Sequence, residues 1–347
     1  MSTPEALTIP AARVEERLTE VLNGYRNDWG AIDSLFGETI DLLETLVLAG
    51  GKRVRPAMAY WGFIGAGGDP ADHAISNLGA ALELMQAFAL FHDDVMDGSP
   101  TRRGEPTAHV RSIDEHEANS WGGEARRYGE SVAILAGDVS LVLSDVLLHE
   151  VNTHVRALWN ELRIEVNLGQ YLDVVGTARR DVPLATAERI VEYKTARYTI
   201  VRPLQMGAAL TGRTDLESQL GKIGTPLGIA FQLRDDMLGA FGQTELTGKP
   251  VGDDLCEGKP TPLLARARLA ATPAQADILN LVGSDLSVDQ VSAIQTVFTN
   301  TGAVADIEAQ IESLTNEALD AISRTPLVSD ASQRLTELAT FLATRNT

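Results

Sequence analysis

The sequence predicts an all-α protein, and two observations carry that prediction. Apolar residues recur at helical spacing through most of the 347-residue chain, whereas strand-like alternation is absent. The composition is 44% hydrophobic but only 5% aromatic, with alanine and leucine abundant, which favours helices. We therefore expect a single domain over residues 1–347, a bundle of roughly ten or more helices.

The first part of the chain predicts four helices in order. An N-terminal helix lies within residues 1–30, where apolar residues repeat with helical periodicity. A second helix, 34–48, ends before Gly50-Gly51, a pair that commonly terminates helices. A third reaches about residue 64. The fourth, 78–96, is apolar almost all round, which predicts that it is buried.

Two polar segments interrupt the rest of the pattern. Residues 98–130 are irregular and contain proline and glycine, which predicts a long loop, and residues 242–261 predict a second loop. Further helices are predicted over 132–151, 158–175, 187–210 and 227–241. The C-terminal region, 262–347, predicts only helices, over 262–270, 274–282, 288–299, 303–323 and 329–343.

Charge and cysteine content restrict the class of protein. The formal net charge of −19 argues against nucleic acid as a partner and against stable membrane anchoring. Cys256 is the single cysteine, so no intramolecular disulfide can form, as is typical of a reducing compartment. The N-terminal residues lack the apolar core of a signal peptide. We expect a soluble, cytoplasmic protein.

An acidic motif ends the buried fourth helix. Residues i and i+4 share a helix face, so Asp93 and Asp97 should lie together, with Asp94 beside them. Carboxylates this close repel one another and resist burial unless a cation compensates them. Mg²⁺ suits such oxygen ligands and usually binds substrate phosphates as well. A solvated acidic turn is the alternative, but the buried helix favours a metal site.

A second acidic pair, Asp235-Asp236, also ends an apolar helix. Two such ends in one bundle predict facing carboxylate walls, a known way to build metal sites. A salt bridge between this pair and Arg234 is the plain alternative. The position four residues after Asp235 holds Gly239 instead of an acid, so this pair should ligate less metal than the first motif.

Basic residues form four short clusters in this acidic chain. Arginine binds phosphate oxygens through two parallel hydrogen bonds, and lysine supplies a point charge. Each cluster alone could be ordinary surface charge; together with two acidic walls they predict a site for two diphosphate groups. The clusters are Lys52/Arg53/Arg55, Arg102/Arg103, Lys194 and Lys249/Lys259.

These motifs, in this order, resemble the trans-isoprenyl diphosphate (polyprenyl) synthase family. The resemblance extends from about Leu42 to Leu264 and implies an isoprenoid synthase fold around a central cavity. The matching stretches are Gly50-Gly51-Lys52-Arg53-Val54-Arg55-Pro56, Asp93-Asp94-Val95-Met96-Asp97 with Arg102-Arg103-Gly104, Lys194-Thr195, Gln232-Leu233-Arg234-Asp235-Asp236 and Gly258-Lys259.

The resemblance implies a role for each matching residue. The diphosphate of isopentenyl diphosphate should be held by Lys52, Arg55, Gln86 and Arg103. Three Mg²⁺ ions should clamp the allylic diphosphate, two at Asp93 and Asp97 with Asp94 beside them, and one at Asp235 with Asp236. The same diphosphate should be neutralised by Arg102, Lys194, Lys249 and Lys259. Thr195 and Gln232 should lie near the developing allylic cation, and Asp173 supports the site. A homodimer is expected.

Product length should depend on the helix that leads into the first acidic motif. Phe88 lies about 7.5 Å below Asp93 along the helix axis, while Ala89 is small and Met85 lies deeper. In the resembling family a single aromatic at this position is typical of synthases that stop at C20, which predicts geranylgeranyl diphosphate. Phe88 could instead only pack against a neighbouring helix, and a C15 product or one longer than C20 is the alternative.

Two other functions remain open from the sequence. A terpene cyclase would share the first acidic motif but would not need the Lys52/Arg55 site, and its usual second metal motif is absent. A non-catalytic regulatory subunit of a heteromeric prenyl synthase usually loses acids or arginines, yet the first motif is intact here. The residues predict an active prenyltransferase.

Overall fold

Helices account for most of the chain in the computed structural model, which describes residues 3–102, 104–180, 182–242 and 252–345. The all-α prediction is confirmed. The first half contains α1 (Glu5–Gly30), α2 (Ser34–Leu48), α3 (Val54–Gly65), α4 (His73–Asp97), the two-residue strands β1 (Thr101–Arg102) and β2 (Glu105–Pro106), α5 (Ala108–Ala118), α6 (Ala125–Val146) and α7 (Thr153–Arg179).

The second half is helical as well. It contains α8 (Leu184–Ile190), a π-helix π1 (Val191–Val201), α9 (Arg202–Leu210), a 3₁₀ turn (Thr214–Leu216), α10 (Glu217–Phe241), α11 (Asp253–Glu257), α12 (Pro262–Ala270), α13 (Pro273–Leu279), α14 (Val288–Asn300), α15 (Ala303–Arg324) and α16 (Ser329–Thr344). The predicted bounds of α2 and α12 are confirmed.

Helix α4 carries the first acidic motif into the interior. The Asp72 side chain caps its start by accepting from the Ala74 amide at 2.8 Å, and Gly98 ends it in the left-handed region at φ +66°. By length and composition α4 could cross a membrane, but 61% of its most apolar window is buried against other helices. It therefore has the character of a core helix.

Two apolar clusters meet along α10. The first cluster gathers α1–α4, α6, α7, π1, α9 and α16, and it includes the fully buried Trp159 and Phe91. The second cluster gathers α11–α15 around Phe298. The first half of α10 packs in the first cluster through Leu227, and its second half packs in the second cluster through Leu233. The second acidic pair thus lies where the two clusters join.

The loop predicted over residues 98–130 is wrong in part. It contains the β1–β2 hairpin and helix α5, and α6 already begins at Ala125. The face that α5 buries consists of His109, Ser112 and His116, which are spaced as on a helix but are polar. A search for aliphatic periodicity therefore missed it. The described part of the second predicted loop likewise contains α11, a short helix between two left-handed glycines.

Candidate active site

The two acidic motifs face one another across a single cavity. Asp93 at the end of α4 and Asp236 on α10 both line this cavity, which has a volume of about 170 Å³. Lysines from two other elements lie between them. The cavity also receives Asp173, Lys194, Thr195, Gln232, Asp254 and Lys259. Sequence reasoning thus identified most of the polar residues that the fold brings together here.

Asp93 is held by cations and amide donors. Gln170 on α7 donates to Asp93 Oδ1 at 2.8 Å, and Lys194 Nζ donates to the same oxygen at 3.1 Å. Arg102 Nη2 lies 3.5 Å from Oδ2. Burial opposes ionisation of this carboxyl, but the charges of Lys194 and Arg102 outweigh it and lower its pKa. Asp93 is therefore an anion in contact with two cationic side chains.

Asp94 has a different environment from Asp93. Its side chain is almost fully buried, and Arg102 Nε donates to Asp94 Oδ1 at 2.7 Å. Burial raises the pKa of Asp94, although the Arg102 hydrogen bond opposes that effect. The predicted metal residue Asp94 therefore fixes the orientation of Arg102, whose guanidinium lies beside Asp93.

Lys194 and Thr195 come from π1, which packs against two glycines. A Cβ on Gly169 of α7 would lie 2.3 Å from the Lys194 backbone nitrogen, and one on Gly228 of α10 would lie 2.5 Å from the Ala196 Cα. Only glycine permits such approaches without displacing the backbone. The Lys194 ammonium also donates to Asp173, and the two carboxylates raise its pKa against the effect of burial.

A chain of side-chain amide and hydroxyl groups crosses the cavity floor. Thr195 Oγ1 donates to Gln232 Oε1 at 2.6 Å, and Gln232 Nε2 donates to Asp236 Oδ1 at 2.7 Å. The other oxygen of this carboxylate, Oδ2, is buried and accepts no hydrogen bond from any described residue. A buried carboxylate oxygen without a donor is costly unless a cation reaches it.

Lys259 closes the opposite side of the cavity. Its ammonium lies 2.6 Å from Glu257 Oε2 and 3.2 Å from Asp254 Oδ1. Burial opposes protonation of Lys259, but Asp254 and Glu257 together raise its pKa well above the usual value. Lys259 is therefore a permanent positive charge within reach of Asp97, whose charge also contributes to this shift.

Sequence reasoning missed Asp254. Its carboxylate lines the cavity, and a Cβ built on Gly239 of α10 would lie only 1.8 Å from Asp254 Oδ2. The absence of an acid at position 239 thus leaves room for a carboxylate from α11. The only sequence signal is an acid five residues before Lys259, in a segment without periodicity. The second acidic wall consists of the α10 pair and this additional group.

We expect the substitution Gly239→Ala to lower kcat about tenfold, or about 1.4 kcal/mol, while the protein stays folded. Alanine has a higher helix propensity than glycine and so favours α10. Its Cβ, however, would push the Asp254 carboxylate away from Lys259. Steady-state kinetics and thermal unfolding check both effects. The control is Gly24→Ala on α1, where a Cβ would meet nothing within 4 Å. Equal activity of the two variants would contradict the expectation.

Arg55, Tyr198 and Gln86 form a rigid group in an adjoining cavity of about 130 Å³. The Arg55 guanidinium lies over the Tyr198 ring at 4.4 Å, and the Tyr198 hydroxyl donates to Gln86 Oε1 at 3.0 Å. The Gln86 carbonyl is thereby occupied, which leaves its NH₂ group to donate elsewhere. Tyr198 was not predicted, although it lies four residues after Lys194 on the same helix.

Lys52 lies near the C-terminal Arg345. Burial and the positive charge of Arg345 lower the pKa of Lys52 to about 8, although Asp235 opposes the shift. Arg345 itself is buried, forms an ion pair with Asp235 and lies over the Phe231 ring at 4.1 Å. Asp235 therefore meets a cation of this chain, whereas Asp236 is the member of the pair that lines the cavity.

The predicted chain-length residues divide into two groups. Phe88 and Ala89 line the adjoining cavity below Asp93, and the Phe88 ring lies 4.6 Å from that of His92. Met85 is fully buried in the apolar core and does not line this cavity. Of the predicted chain-length residues, Phe88 is therefore the bulky one that lines this cavity.

The remaining residues of the predicted basic clusters are Arg53, Arg103 and Lys249. Arg53, in the left-handed region at φ +50°, is buried, pairs with Glu83 and donates to the Val47 carbonyl at 2.7 Å, so it stabilises the fold. Arg103 and Lys249 lie outside the described residues.

The acidic residues fit a divalent cation only in part. Burial and the charge of Asp93 raise the pKa of Asp97 to about 7, and burial raises that of Asp236 to about 8, against the effect of Gln232. These hard oxygens suit Mg²⁺. However, no three Asp, Glu, His or Cys side chains among the described residues converge closely enough to hold an ion. An ion bound here would need further oxygen ligands, from water or a bound phosphate.

We expect Mg²⁺ to stabilise the protein more at pH 8 than at about pH 6, because the metal must displace protons from Asp97 and Asp236. Both folded-state pKa values lie above the unfolded value of about 3.9. At pH values between the unfolded and the folded pKa of these groups, the native state therefore binds more protons than the unfolded state. The free energy of unfolding of the metal-free protein falls as pH rises through that range. Thermal unfolding with and without Mg²⁺ checks this. An equal increase in Tm at both pH values would contradict it.

Comparison with known proteins agrees with this geometry. The polyprenyl synthetase family profile matches residues 38–298. Geranylfarnesyl diphosphate synthase of Aeropyrum pernix is 32% identical over 316 residues, which are 88% of this chain and 92% of that protein. The (2E,6E)-farnesyl diphosphate synthase of Mycobacterium bovis is 31% identical over 305 residues, which are 85% of this chain and 80% of that protein.

A solved structure is similar over nearly the whole chain. The crystal structure of geranylgeranyl pyrophosphate synthase from Corynebacterium glutamicum, complexed with isoprenyl diphosphate and magnesium, has a TM-score of 0.93 and 35% identity. The match covers 99% of this chain and 100% of that one. Because family profile, relatives and fold agree, this chain belongs to the polyprenyl synthetase family and is a trans-prenyltransferase.

Proposed function

We propose that this enzyme condenses isopentenyl diphosphate with allylic diphosphates of five to fifteen carbons and that its main product is geranylgeranyl diphosphate. The observation that carries the proposal is the pair of adjoining cavities, which share Asp93, Lys194 and Thr195. One cavity has charged walls suited to a leaving diphosphate. The other is lined by Phe88 and Ala89 and suits an apolar chain.

The charged cavity supports ionisation of an allylic C–O bond. Lys194 and Lys259 are partly buried ammonium groups with raised pKa values, so both stay charged while the leaving diphosphate takes the bonding electron pair. The hydroxyl and amide oxygens of Thr195 and Gln232 provide dipoles suited to the cation left behind. Because Thr195 donates to Gln232, the two groups hold one another in place.

Mg²⁺, when bound, would neutralise the diphosphate and strengthen it as a leaving group. Asp93 and Asp97 would hold the metal on the α4 side, and Asp235 and Asp236 would hold it on the α10 side. The buried Asp236 Oδ2, which accepts no hydrogen bond from the described residues, supports that assignment. We propose three ions per active site, as the resemblance implies.

The second substrate would bind beside Arg55. The cation–π contact with Tyr198 orients this guanidinium, and the Tyr198 hydroxyl orients Gln86. Lys52 would add a charge, and the lowered pKa of its amine would rise when an anion binds. The double bond of isopentenyl diphosphate then attacks the allylic cation, a C–C bond forms, and the released diphosphate takes the proton that is lost.

A product assay tests the proposal. Purified protein is incubated with Mg²⁺, labelled isopentenyl diphosphate and each of the C5, C10 and C15 allylic primers, and chain length is read after dephosphorylation. We expect a C20 product with every primer. A C15 product, or one longer than C20, would retain the reaction and refute the chain-length assignment. Both outcomes are realistic, because the compared relatives bear names with different products. No elongation would favour a regulatory subunit or a cyclase.

We also propose a homodimer, formed through exposed apolar residues of α6 and α7. Leu135 on α6 is 61% exposed, and Leu168 and Tyr171 on α7 are 53% and 66% exposed. Exposed apolar side chains of this kind suit an interface between two copies of the chain. Sedimentation equilibrium should give twice 37.3 kDa for the wild type and the monomer mass for Leu168→Glu. The control Leu269→Glu, at a 75% exposed position on α12, should stay dimeric. A monomeric wild type would refute the interface.

We expect a cytoplasmic enzyme. The lone cysteine and the burial of α4, the one described helix with the length and composition of a membrane span, support this. Cell fractionation tests it, and recovery in a salt-resistant membrane pellet would contradict it.

A further inference from the structure

The imidazole of His92 lies in the wall of the cavity that contains Phe88, one residue before the first acidic motif. His92 and Phe88 are four residues apart on α4, so they share a face of that helix, and both line the cavity of about 130 Å³. Their rings lie 4.6 Å apart at an interplanar angle of 60°. Neither the proposed ionisation nor the proposed binding of isopentenyl diphosphate uses His92, so its place in this wall needs another explanation.

Helix α6 holds this imidazole in place. His92 Nε2 donates to the Ile134 carbonyl at 3.1 Å and lies 3.5 Å from Asp138 Oδ1. Between these two residues is Gly137, where a Cβ would lie 2.5 Å from His92 Cδ2 and 2.6 Å from His92 Nε2. Interiors are packed too closely to absorb such an overlap, so a side chain at position 137 would displace the ring.

Gly137 differs from the glycines that bring two helices together. A Cβ on Gly62 of α3 or on Gly207 of α9 would meet the backbone carbonyl of a neighbouring helix. At Gly137 the nearest atoms belong to a side-chain ring instead, and Phe91 Cβ follows at 3.4 Å. Gly137 therefore makes room for the imidazole and not for close contact of two backbones.

Helix α6 is joined to α4 at the level of the Phe88 ring. Ser140, one turn after Gly137, is fully buried and donates to the Leu84 carbonyl, one turn before Phe88, at 2.8 Å. Breaking this buried hydrogen bond would cost more than breaking the exposed contact of His92 with α6. The imidazole should therefore give way before the helix does, toward Phe88 and the cavity.

We propose that His92 and Gly137 determine product length together with Phe88, as a second layer of the cavity wall. Gly137 sets how closely the imidazole approaches α6, and the imidazole sets how far the Phe88 ring can retreat from the cavity. Gly137 is thus a positioning residue, whereas His92 also lines the cavity itself. The inference rests on the proposed function, because it concerns the space in which the apolar tail of a prenyl diphosphate would lie.

The two positions should respond in opposite directions. Gly137→Ala adds a methyl group that displaces the imidazole toward Phe88, so the main product should be at least one C5 unit shorter than that of the wild type. His92→Ala removes the ring against which Phe88 packs, so the main product should become longer. His92→Phe keeps a ring at this position and should not lengthen the product. Chromatography of dephosphorylated products gives these lengths, and general loss of stability would not shift them in opposite directions.

Calorimetric titration without isopentenyl diphosphate tests the cavity independently of elongation. The ligands are geranyl diphosphate and geranylgeranyl diphosphate, each with Mg²⁺. We expect Gly137→Ala to bind geranylgeranyl diphosphate at least tenfold more weakly and geranyl diphosphate within twofold of the wild type. The matched control is Gly79→Ala on α4, where a Cβ would also lie 2.5 Å from a side-chain atom, Val14 Cγ2, and neither residue lines the cavity. It should bind both ligands within twofold of the wild type.

Equal weakening of both ligands in Gly137→Ala, or no weakening of either, would overturn the proposal. If that variant does not fold, His92→Ala decides, because its affinity for geranylgeranyl diphosphate relative to geranyl diphosphate should rise at least threefold. An unchanged or lower ratio would overturn the proposal as well. A wild type that elongates no primer would refute the proposed function, but these titrations would still measure the depth of the cavity, so the two failures are distinguishable.

Discussion

The substitution Asp93→Asn should lower kcat/KM about a thousandfold, which corresponds to about 4 kcal/mol of transition-state stabilisation. Asp93 accepts hydrogen bonds from Gln170 and Lys194 and lies beside Arg102. Asparagine keeps the size of the side chain but removes the anionic oxygen that a metal requires. It also leaves Lys194 with Asp173 as its remaining carboxylate partner. Steady-state kinetics at saturating Mg²⁺ measure the loss.

A matched control distinguishes chemistry from charge. Asp320→Asn removes one carboxylate at an exposed position on α15, where Asp320 pairs with Arg324. We expect activity within twofold of the wild type there, since such surface pairs contribute about 0–1 kcal/mol. Both variants should keep the wild-type circular dichroism spectrum. Retention of a tenth or more of the activity by Asp93→Asn would rule out a central role for this carboxylate.

The substitution Phe88→Ala should lengthen the main product beyond C20. Phe88 lines the cavity that also contains Asp93, and its ring packs against His92, so its removal enlarges the cavity in which we propose that the product chain grows. Because Phe88 is only partly buried, the stability cost should stay below the about 3–5 kcal/mol of a fully buried aromatic. Chromatography of dephosphorylated products gives the chain length.

Met85→Ala is the control for that experiment. Met85 is fully buried and does not line the cavity, so its truncation should destabilise the fold by about 2–5 kcal/mol without changing product length. If Phe88→Ala stops at the same length as the wild type, Phe88 does not limit chain growth. If Met85→Ala lengthens the product as well, the effect reflects general loosening of the core.

The sequence predicts best where chemistry coincides with helical periodicity. Asp93 and Asp97 lie in the last turns of a long apolar helix, so both their shared face and the burial of the preceding residues could be predicted. The second pair could be predicted for the same reason, as it ends an apolar stretch of α10. The basic clusters and Thr195 were predicted because they adjoin these motifs in an order typical of a family.

What was missed lies where periodicity fails. Helix α5 buries polar residues, so no aliphatic pattern revealed it. Asp254 comes from a short helix, and only the space above Gly239 explains its position. The contact of Arg345 with Asp235 joins residues 110 positions apart, and no local rule predicts it.

The π-helix has a consequence for redesign of the enzyme. Residues 191–201 follow i→i+5 hydrogen bonding between two α-helical segments, so the chain there advances by a different angle per residue. Deleting one residue to restore an ordinary helix would rotate everything beyond it by about 100°. Lys194 could then no longer keep its position relative to α9. The same holds for Tyr198, whose ring contacts Arg55. Chimaeras of prenyl synthases that exchange this region should therefore join outside residues 184–210, and alignments should treat it as a block without gaps.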